Sequence, residues 1–309
     1  MGPEMKLVVA GGTGFIGTAL LNSLAQQGHA LVVLTRRASP AGLPAGTTPI
    51  VWQPGSPGTW ENVLPEALSG ADGVINLAGE PIAGKRWTGA QKQKLRASRV
   101  DPTRALVDAI GRSRSKPGFL LNASAVGYYG PRGDETVTEA DGPGGDFLAR
   151  LCREWEDEAK KAEAHGLRVV RLRTGVVLGR DGGALAKMIP PFKLFFGGPL
   201  GSGAQWLPWI HLEDEVGLIR FLLENPAARG PVNATAPNPV TMKEFAKALG
   251  GALHRPSWAP VPAFALRLML GEMAEMLLTG QRALPAEAER LGYRFRHPAL
   301  PEALRDILA

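Results

Sequence analysis

The chain has 309 residues, 44% of them hydrophobic and 21% charged, a globular balance with enough length to bury a large core. Its net charge of +6 comes from basic residues interspersed with acids, so nucleic acid is not expected as a partner, while an anionic cofactor or substrate is favoured. A single cysteine, Cys152, excludes an internal disulfide framework and fits a reducing cytoplasm.

No apolar run approaches the roughly 18 residues of a membrane span, so no membrane partner is expected. The first strand opens almost at once and leaves no room for a signal peptide, which adds to the cytoplasmic expectation. Met5 to Ala10 is a short apolar run that breaks at glycines and reopens with helical spacing at Phe15, Ile16, Ala19, Leu20 and Leu24. Strand, tight turn and helix are the context in which Gly11-Gly12-Thr13-Gly14-Phe15-Ile16-Gly17 reads as a dinucleotide fingerprint. Gly11 permits the turn, Gly14 lets backbone approach a pyrophosphate, and Gly17 lets helix and strand pack closely. Amides at the helix start would then meet phosphate with the positive end of the helix dipole.

Ala30 to Leu34 reads as the second strand, followed by Thr35-Arg36-Arg37. An NAD-specific site places an acid here for the ribose hydroxyls; a hydroxyl and two guanidinium forks suit a phosphomonoester, hence NADP(H). Residues 38–60 are rich in Pro, Gly, Ser and Thr, with Pro49 to Trp52 as a short third strand. Trp52 lies against an adenine or simply packs. Trp60 to Leu68 is a short helix, and Gly73 to Gly79 a fourth strand and turn. There Leu77, Ala78, Gly79 and Glu80 would close over the middle of the cofactor. Thr88 suits a helix cap, and Asp101-Pro102 would restart or kink that helix. Phe119 to Ser124 is the fifth strand, ending in Ala125-Val126-Gly127-Tyr128-Tyr129-Gly130.

Asp146 starts another helix, which Gly166 stops, and Leu167 to Arg173 forms the sixth strand. Thr174, Gly175 and Val176 follow at its carboxyl end. Alternating strands and helices predict an α/β fold with a doubly wound, parallel Rossmann sheet and a cofactor crevice at the carboxyl ends of the strands. Regular alternation is lost after Gly179. The chain therefore divides into a cofactor domain over 1–179 and a smaller C-terminal lid lobe over 180–309, with about 209–235 returning to the first domain.

Together the glycine motif, Asn76-Leu77-Ala78-Gly79, Ser124 with Tyr129-Gly130, Arg173-Thr174-Gly175 and Trp209-Ile210-His211-Leu212-Glu213-Asp214 resemble the extended short-chain dehydrogenases. Gly79-Glu80-Pro81-Ile82, Ser98-Arg99-Val100 and Cys152-Arg153-Glu154-Trp155-Glu156 are similar to the SDR39U1 or YfcH-like epimerase subgroup. Its small C-terminal domain of unknown function resembles the tail from Pro260 through Pro285. The resemblance implies a nicotinamide cofactor and an oxidoreductase or epimerase acting on a small polar, nucleotide-sugar-like substrate. It also implies a Ser or Thr after the fifth strand and a Tyr-x-x-x-Lys pair on the next helix.

The pair is missing. None of Tyr128, Tyr129 and Tyr293 has Lys four residues on, and either Phe147/Leu151 or Leu148/Cys152 occupies the two positions. The remaining proton donors are Ser124, Tyr128 and Tyr129, the candidate catalytic residues. Without them the chain would be an NADP(H)-binding regulator. Cys152 reads as a small core residue, and His211 as a helix cap or lobe joint. No Cys/His spacing suggests a metal. The expected partner is a small-molecule substrate, and a homodimer is left open.

Overall fold

The computed structural model describes residues 4–56, 58 and 60–309; Pro57 and Thr59, in the Pro- and Gly-rich stretch, lie outside them. The main sheet has seven strands: β1 (Lys6–Ala10), β2 (Ala30–Thr35), β3 (Thr48–Val51), β4 (Gly73–Asn76), β5 (Phe119–Ala125), β6 (Arg168–Thr174) and β7 (Gly230–Ala234). All pair in parallel, in the order β7-β6-β5-β4-β1-β2-β3. Strand order reverses beside β1, which is where a doubly wound sheet opens its crevice.

Both faces are covered, so the strands read as nearly continuous apolar runs. Leu7, Val9 and Val33 point to one face, against Leu20, Leu21 and Leu24 of α1 (Phe15–Gln26) and Leu218, Ile219 and Leu222 of α6 (Leu212–Glu224). Val8, Ala10, Leu34 and Val74 point to the other. There they meet α2 (Val63–Leu68), α3 (Gly89–Arg112) and the end of α4 (Phe147–Lys160).

Two local expectations need correction, and the two readings of Trp52 are told apart. Helix α2 starts at Val63, later than Trp60. Trp52 lies just past β3, is buried, and packs in the core with Leu64 and Leu106, which gives it a packing role. The restart expected as one alternative at Asp101-Pro102 is absent: α3 runs as one helix through Pro102. Val100, Pro102, Thr103, Ala105 and Leu106 are all buried there, so packing on both sides outweighs the lost backbone bond. Thr88 and Asp146 do cap α3 and α4, accepting the amides of Gln91 and Ala149.

Beyond β6 the chain continues as Val176–Gly179, paired in parallel with Trp209–His211. Around this small sheet pack α5 (Leu185–Lys193), α7 (Met242–Leu253) and the C-terminal helix Leu300–Leu308. They share a separate core that includes Phe192, Trp209, Phe245 and Leu304. Another helix, α8 (Ala263–Leu270), lies near the surface with only Leu266 buried. The Phe15 ring, at the start of α1, sits against Gly179, Gly182 and Gly183, where a Cβ would collide with it at 2.8, 2.5 and 2.9 Å. Those glycines let the lobe close directly onto the loop after β1.

Candidate active site

The loop after β1 is built for close backbone approach. Gly11 has φ +77°, and a Cβ there would lie 2.5 Å from the Leu77 carbonyl carbon, so only glycine lets the β1 and β4 loops meet. A Cβ on Gly17 would lie 2.3 Å from the Gly11 oxygen. Gly14 differs: its nearest neighbour is the same oxygen at 3.3 Å, and its own φ is −82°. It is exposed, as is Thr13, while Gly12 and Gly17 are buried.

Gly14 is also the N-cap of α1, so it offers no side chain to the first-turn amides, and that turn holds no acid. Amides left unsatisfied at a helix start are an anion site. This cradle, which a side chain would fill, fits a pyrophosphate. Leu77 and Ala78 are half-buried beside it, with Gly79 exposed and Glu80 half-buried further along the loop.

At the end of β2, Arg36 and Arg37 are exposed, and neither forms an ion pair among the described residues. Thr35 is buried, and its hydroxyl accepts the Arg37 amide at 3.1 Å. Thr35 thus shapes the turn that presents the two guanidinium groups. At the end of β6, Thr174, Gly175 and Val176 remain half-exposed. The Thr174 hydroxyl, however, turns inward and donates to Glu215 at 2.9 Å.

The catalytic assignment changes at the end of β5. Ser124 is buried and donates to Glu156 at 2.7 Å. Glu156 also receives two bonds from Arg173, at 2.8 and 3.0 Å. Arg173 donates a third to the Tyr129 hydroxyl at 3.0 Å, and that hydroxyl in turn donates to Asn233 Oδ1 at 2.7 Å. Tyr129 is fully buried, and that burial pushes its pKa up to about 12. Burial works against the Arg173 cation, but Glu156 and Tyr129 hold its pKa above the ordinary value. Ser124 and Tyr129 therefore belong to a closed, buried ion-pair network. They are not free proton donors. Tyr128 alone of the three stays half-exposed, with Arg173 stacked 3.5 Å from its ring centre.

The missing Tyr-x-x-x-Lys pair also gains a register. Phe147 turns outward onto Trp87, ring centres 5.2 Å apart. Leu148 and Cys152 face the end of β5, within 3.3 and 3.9 Å of where a Gly127 Cβ would stand. Burial pushes the Cys152 thiol up to about 12, so it is neither nucleophile nor acid near neutral pH.

Arg99 brings a cation to this corner, and the sequence reading gave it no role. It reaches from α3 to the Glu80 carbonyl at 2.9 Å and the Leu95 carbonyl at 3.1 Å, and lies 5.4 Å from the Trp155 ring centre. Its carbon Cζ would be 3.2 Å from a Gly79 Cβ, so the charge sits directly behind the β4 loop. Burial lowers its pKa, opposed by Cys152 and Glu80. A fixed cation here can polarise a carbonyl or steady a developing alkoxide. Below it, Asn76 donates to Asn122 at 2.7 Å and to Thr103 at 2.9 Å, locking β4, β5 and α3 together.

His211 has both sequence-predicted roles. Its Nδ1 accepts the Glu213 amide at 3.0 Å, capping α6, and its Nε2 faces Asp306 of the C-terminal helix at 3.3 Å. It also stacks on His297, ring centres 3.8 Å apart. His211, His297 and Asp306 hold potential ligand atoms within 4.8 Å of one another, a grouping that linear spacing conceals. With Nδ1 engaged as an acceptor, the proton of neutral His211 sits on Nε2, so no bare nitrogen faces the group. The three residues form a latch between α6 and the C-terminal helix.

Comparison with known proteins agrees with this architecture. Residues 7–234 match the NAD dependent epimerase/dehydratase family, and residues 261–307 match a domain of unknown function, DUF1731. The chain is 46% identical to the chloroplastic epimerase family protein SDR39U1 homolog of Arabidopsis thaliana, over 99% of this chain and 87% of that one. Human epimerase family protein SDR39U1 (isoform 2), solved with NADPH, is 35% identical with a TM-score of 0.88, covering 98% and 99% of the two chains. MoeE5 in complex with UDP-glucose and NAD superposes with a TM-score of 0.77 at 22% identity, over 98% and 97%; that likeness concerns the fold alone. The chain belongs to the NAD-dependent epimerase/dehydratase family, in the branch whose members carry the name epimerase family protein SDR39U1.

Proposed function

We propose that this protein is an NADPH-dependent oxidoreductase or epimerase-type enzyme acting on a small molecule. The loop from Gly11 to Gly17 takes the pyrophosphate on the first amides of α1, and Arg36 and Arg37 hold the 2′-phosphate. Bound NADPH supplies hydride chemistry. This chain's residues do the rest: the loops after β4 and β6 border the cleft, Arg99 steadies negative charge on a substrate oxygen, and Tyr128 is the phenol free to exchange a proton. The carrying observation is an uncapped, acid-free helix start beside two exposed arginines. The human SDR39U1 structure with NADPH supports the cofactor.

A second reading has its own support. Ser124 and Tyr129 are tied up, and the side chains that α4 sets against the end of β5 are Leu148 and Cys152 rather than a Tyr and a Lys, as in a regulator that binds cofactor without turnover. The test begins with calorimetric titration. Changing Arg36 and Arg37 to Ala should weaken NADPH on the order of ten- to hundredfold per contact and barely affect NADH. Equal losses would remove the NADP(H) assignment. C4-deuterated NADPH should then label a member of a carbonyl library, and Tyr128→Phe should slow that transfer. Tight binding with no transfer across the library would favour the regulator.

A further inference from the structure

A cavity in the C-terminal lobe does not match a sugar nucleotide. It measures about 170 Å³ and lies between α5, α7 and the paired segments 197–201 and 259–261. Met188, Phe192, Leu200, Met242, Phe245 and Val261 form its wall, and Phe196 its rim. Among the described residues, Lys187 is the only charged one lining it. The backbone beneath is already paired: Ala259 donates to Gly197 at 3.1 Å, Val261 to Pro199 at 3.0 Å, and Gly201 to Val261 at 2.8 Å. A nucleobase brings donors and acceptors that need partners when buried, and these side chains supply almost none.

We propose that this cavity receives an apolar tail, so that the substrate is a medium-chain acyl compound with its polar head at Lys187. The proposal rests on the NADPH-dependent reading for where that head reacts, but the tail site stands on its own geometry. A cavity of about 150 Å³ accepts benzene, so this one holds a group of about six carbons. Being smaller than a pocket for a whole ligand, it takes one arm of a substrate whose remainder lies in the cleft. Lys187, whose ammonium donates to the Ala83 carbonyl at 3.3 Å, ties the mouth of the cavity to the loop that follows Glu80. The one cation at an otherwise apolar rim selects a carboxylate or carbonyl head. Phe196, 66% exposed, and Trp258, also 66% exposed, extend the apolar surface outward on the same lobe.

The probe is anilinonaphthalene sulfonate, an aromatic anion, bound to the intact protein and displaced by straight-chain carboxylates of four to twelve carbons. Displacement should tighten by roughly fourfold per methylene up to about eight carbons and then level off. Octanoate should compete on the order of a hundredfold or more better than butanoate, and better than UDP-glucose. Met188→Trp, which fills the cavity, should weaken octanoate about tenfold or more while NADPH binding and melting temperature are retained. Phe196→Ser, at an exposed position, guards against misfolding and should weaken it less. Lys187→Glu should weaken octanoate but not octanol. Displacement that ignores chain length, superior competition by UDP-glucose, or an unchanged response in folded Met188→Trp would overturn the proposal. NADPH titrated separately keeps the two readings apart: its failure to bind alongside chain-length-dependent displacement would remove the cofactor reading and leave the tail site.

Discussion

Glu215 shows how far one side chain in this fold departs from its solution chemistry. It lies fully buried in α6; Oε1 accepts the Thr174 hydroxyl, and Oε2 has no hydrogen-bond partner among the described residues. Burial pushes its pKa from 4.5 up to about 8. The folded protein therefore keeps this proton across a pH range in which the unfolded chain has lost it. Between those values folding binds a proton, and the contribution of Glu215 to stability falls by about 1.4 kcal/mol for each unit of rising pH. Glu215→Gln removes that dependence. Denaturant melts should show little difference between variant and parent near pH 4.5 and a growing advantage for the variant up to about pH 8. Parallel stability curves over that range would mean that the carboxylate is ionised in the folded state. Ser124 and Tyr129 carry a related lesson about legibility. Their chain positions are right for chemistry, yet Glu156 and Asn233 claim their hydroxyls from elements 32 and 104 residues away. No local pattern in the sequence shows which way a hydroxyl turns.

At the level of elements, the loop between β1 and α1 allows three similar glycines to be told apart. Gly17→Val would drive a side chain into the Gly11 carbonyl and Gly12 backbone, contacts that only a shift of β1 or α1 relieves. Gly14→Val meets only one oxygen at 3.3 Å, at a φ any residue adopts. Gly14→Val should consequently melt close to the parent and lose NADPH binding, whereas Gly17→Val should melt earlier or not fold. Normal NADPH affinity in a folded Gly14→Val protein would place the pyrophosphate elsewhere. Strands and helices here were legible because apolar periodicity and glycine breaks are local signals. The continuity of α3 was not, because Pro102 is carried by burial alongside Val100, Thr103, Ala105 and Leu106 rather than by its own preference. Arg99 was visible only as part of a motif. Its role depends on α3 crossing behind Gly79, which is tertiary information. The His211, His297 and Asp306 latch is likewise assembled from residues up to 95 positions apart.

For the whole molecule, the arrangement of β7 and α6 decides what can stand alone. A cut after Gly179, where the regular alternation ends, looks like a boundary in the sequence. In the folded chain β7 is the edge of the main sheet, paired with β6 from Gly230 to Ala234. Helix α6 covers the face that α1 only half fills, burying Leu218, Ile219 and Leu222 against it. Arg168 of β6 ties the two together, donating to the Leu222, Leu223 and Ala228 carbonyls at 3.0, 3.0 and 2.8 Å. Removing residues 180–309 would strip these acceptors from a half-buried guanidinium and expose the apolar face of α1. It would also remove Gly182 and Gly183, two of the three glycines on which the Phe15 ring rests. A fragment of residues 1–179 should therefore show no cooperative thermal transition and no NADPH binding, while the full chain shows both. Its exposed sheet face should bind an apolar dye far more strongly than the full chain does. A sharp melt with retained nucleotide binding in that fragment would mean that six strands suffice, and that β7 and α6 serve the lobe rather than the cofactor.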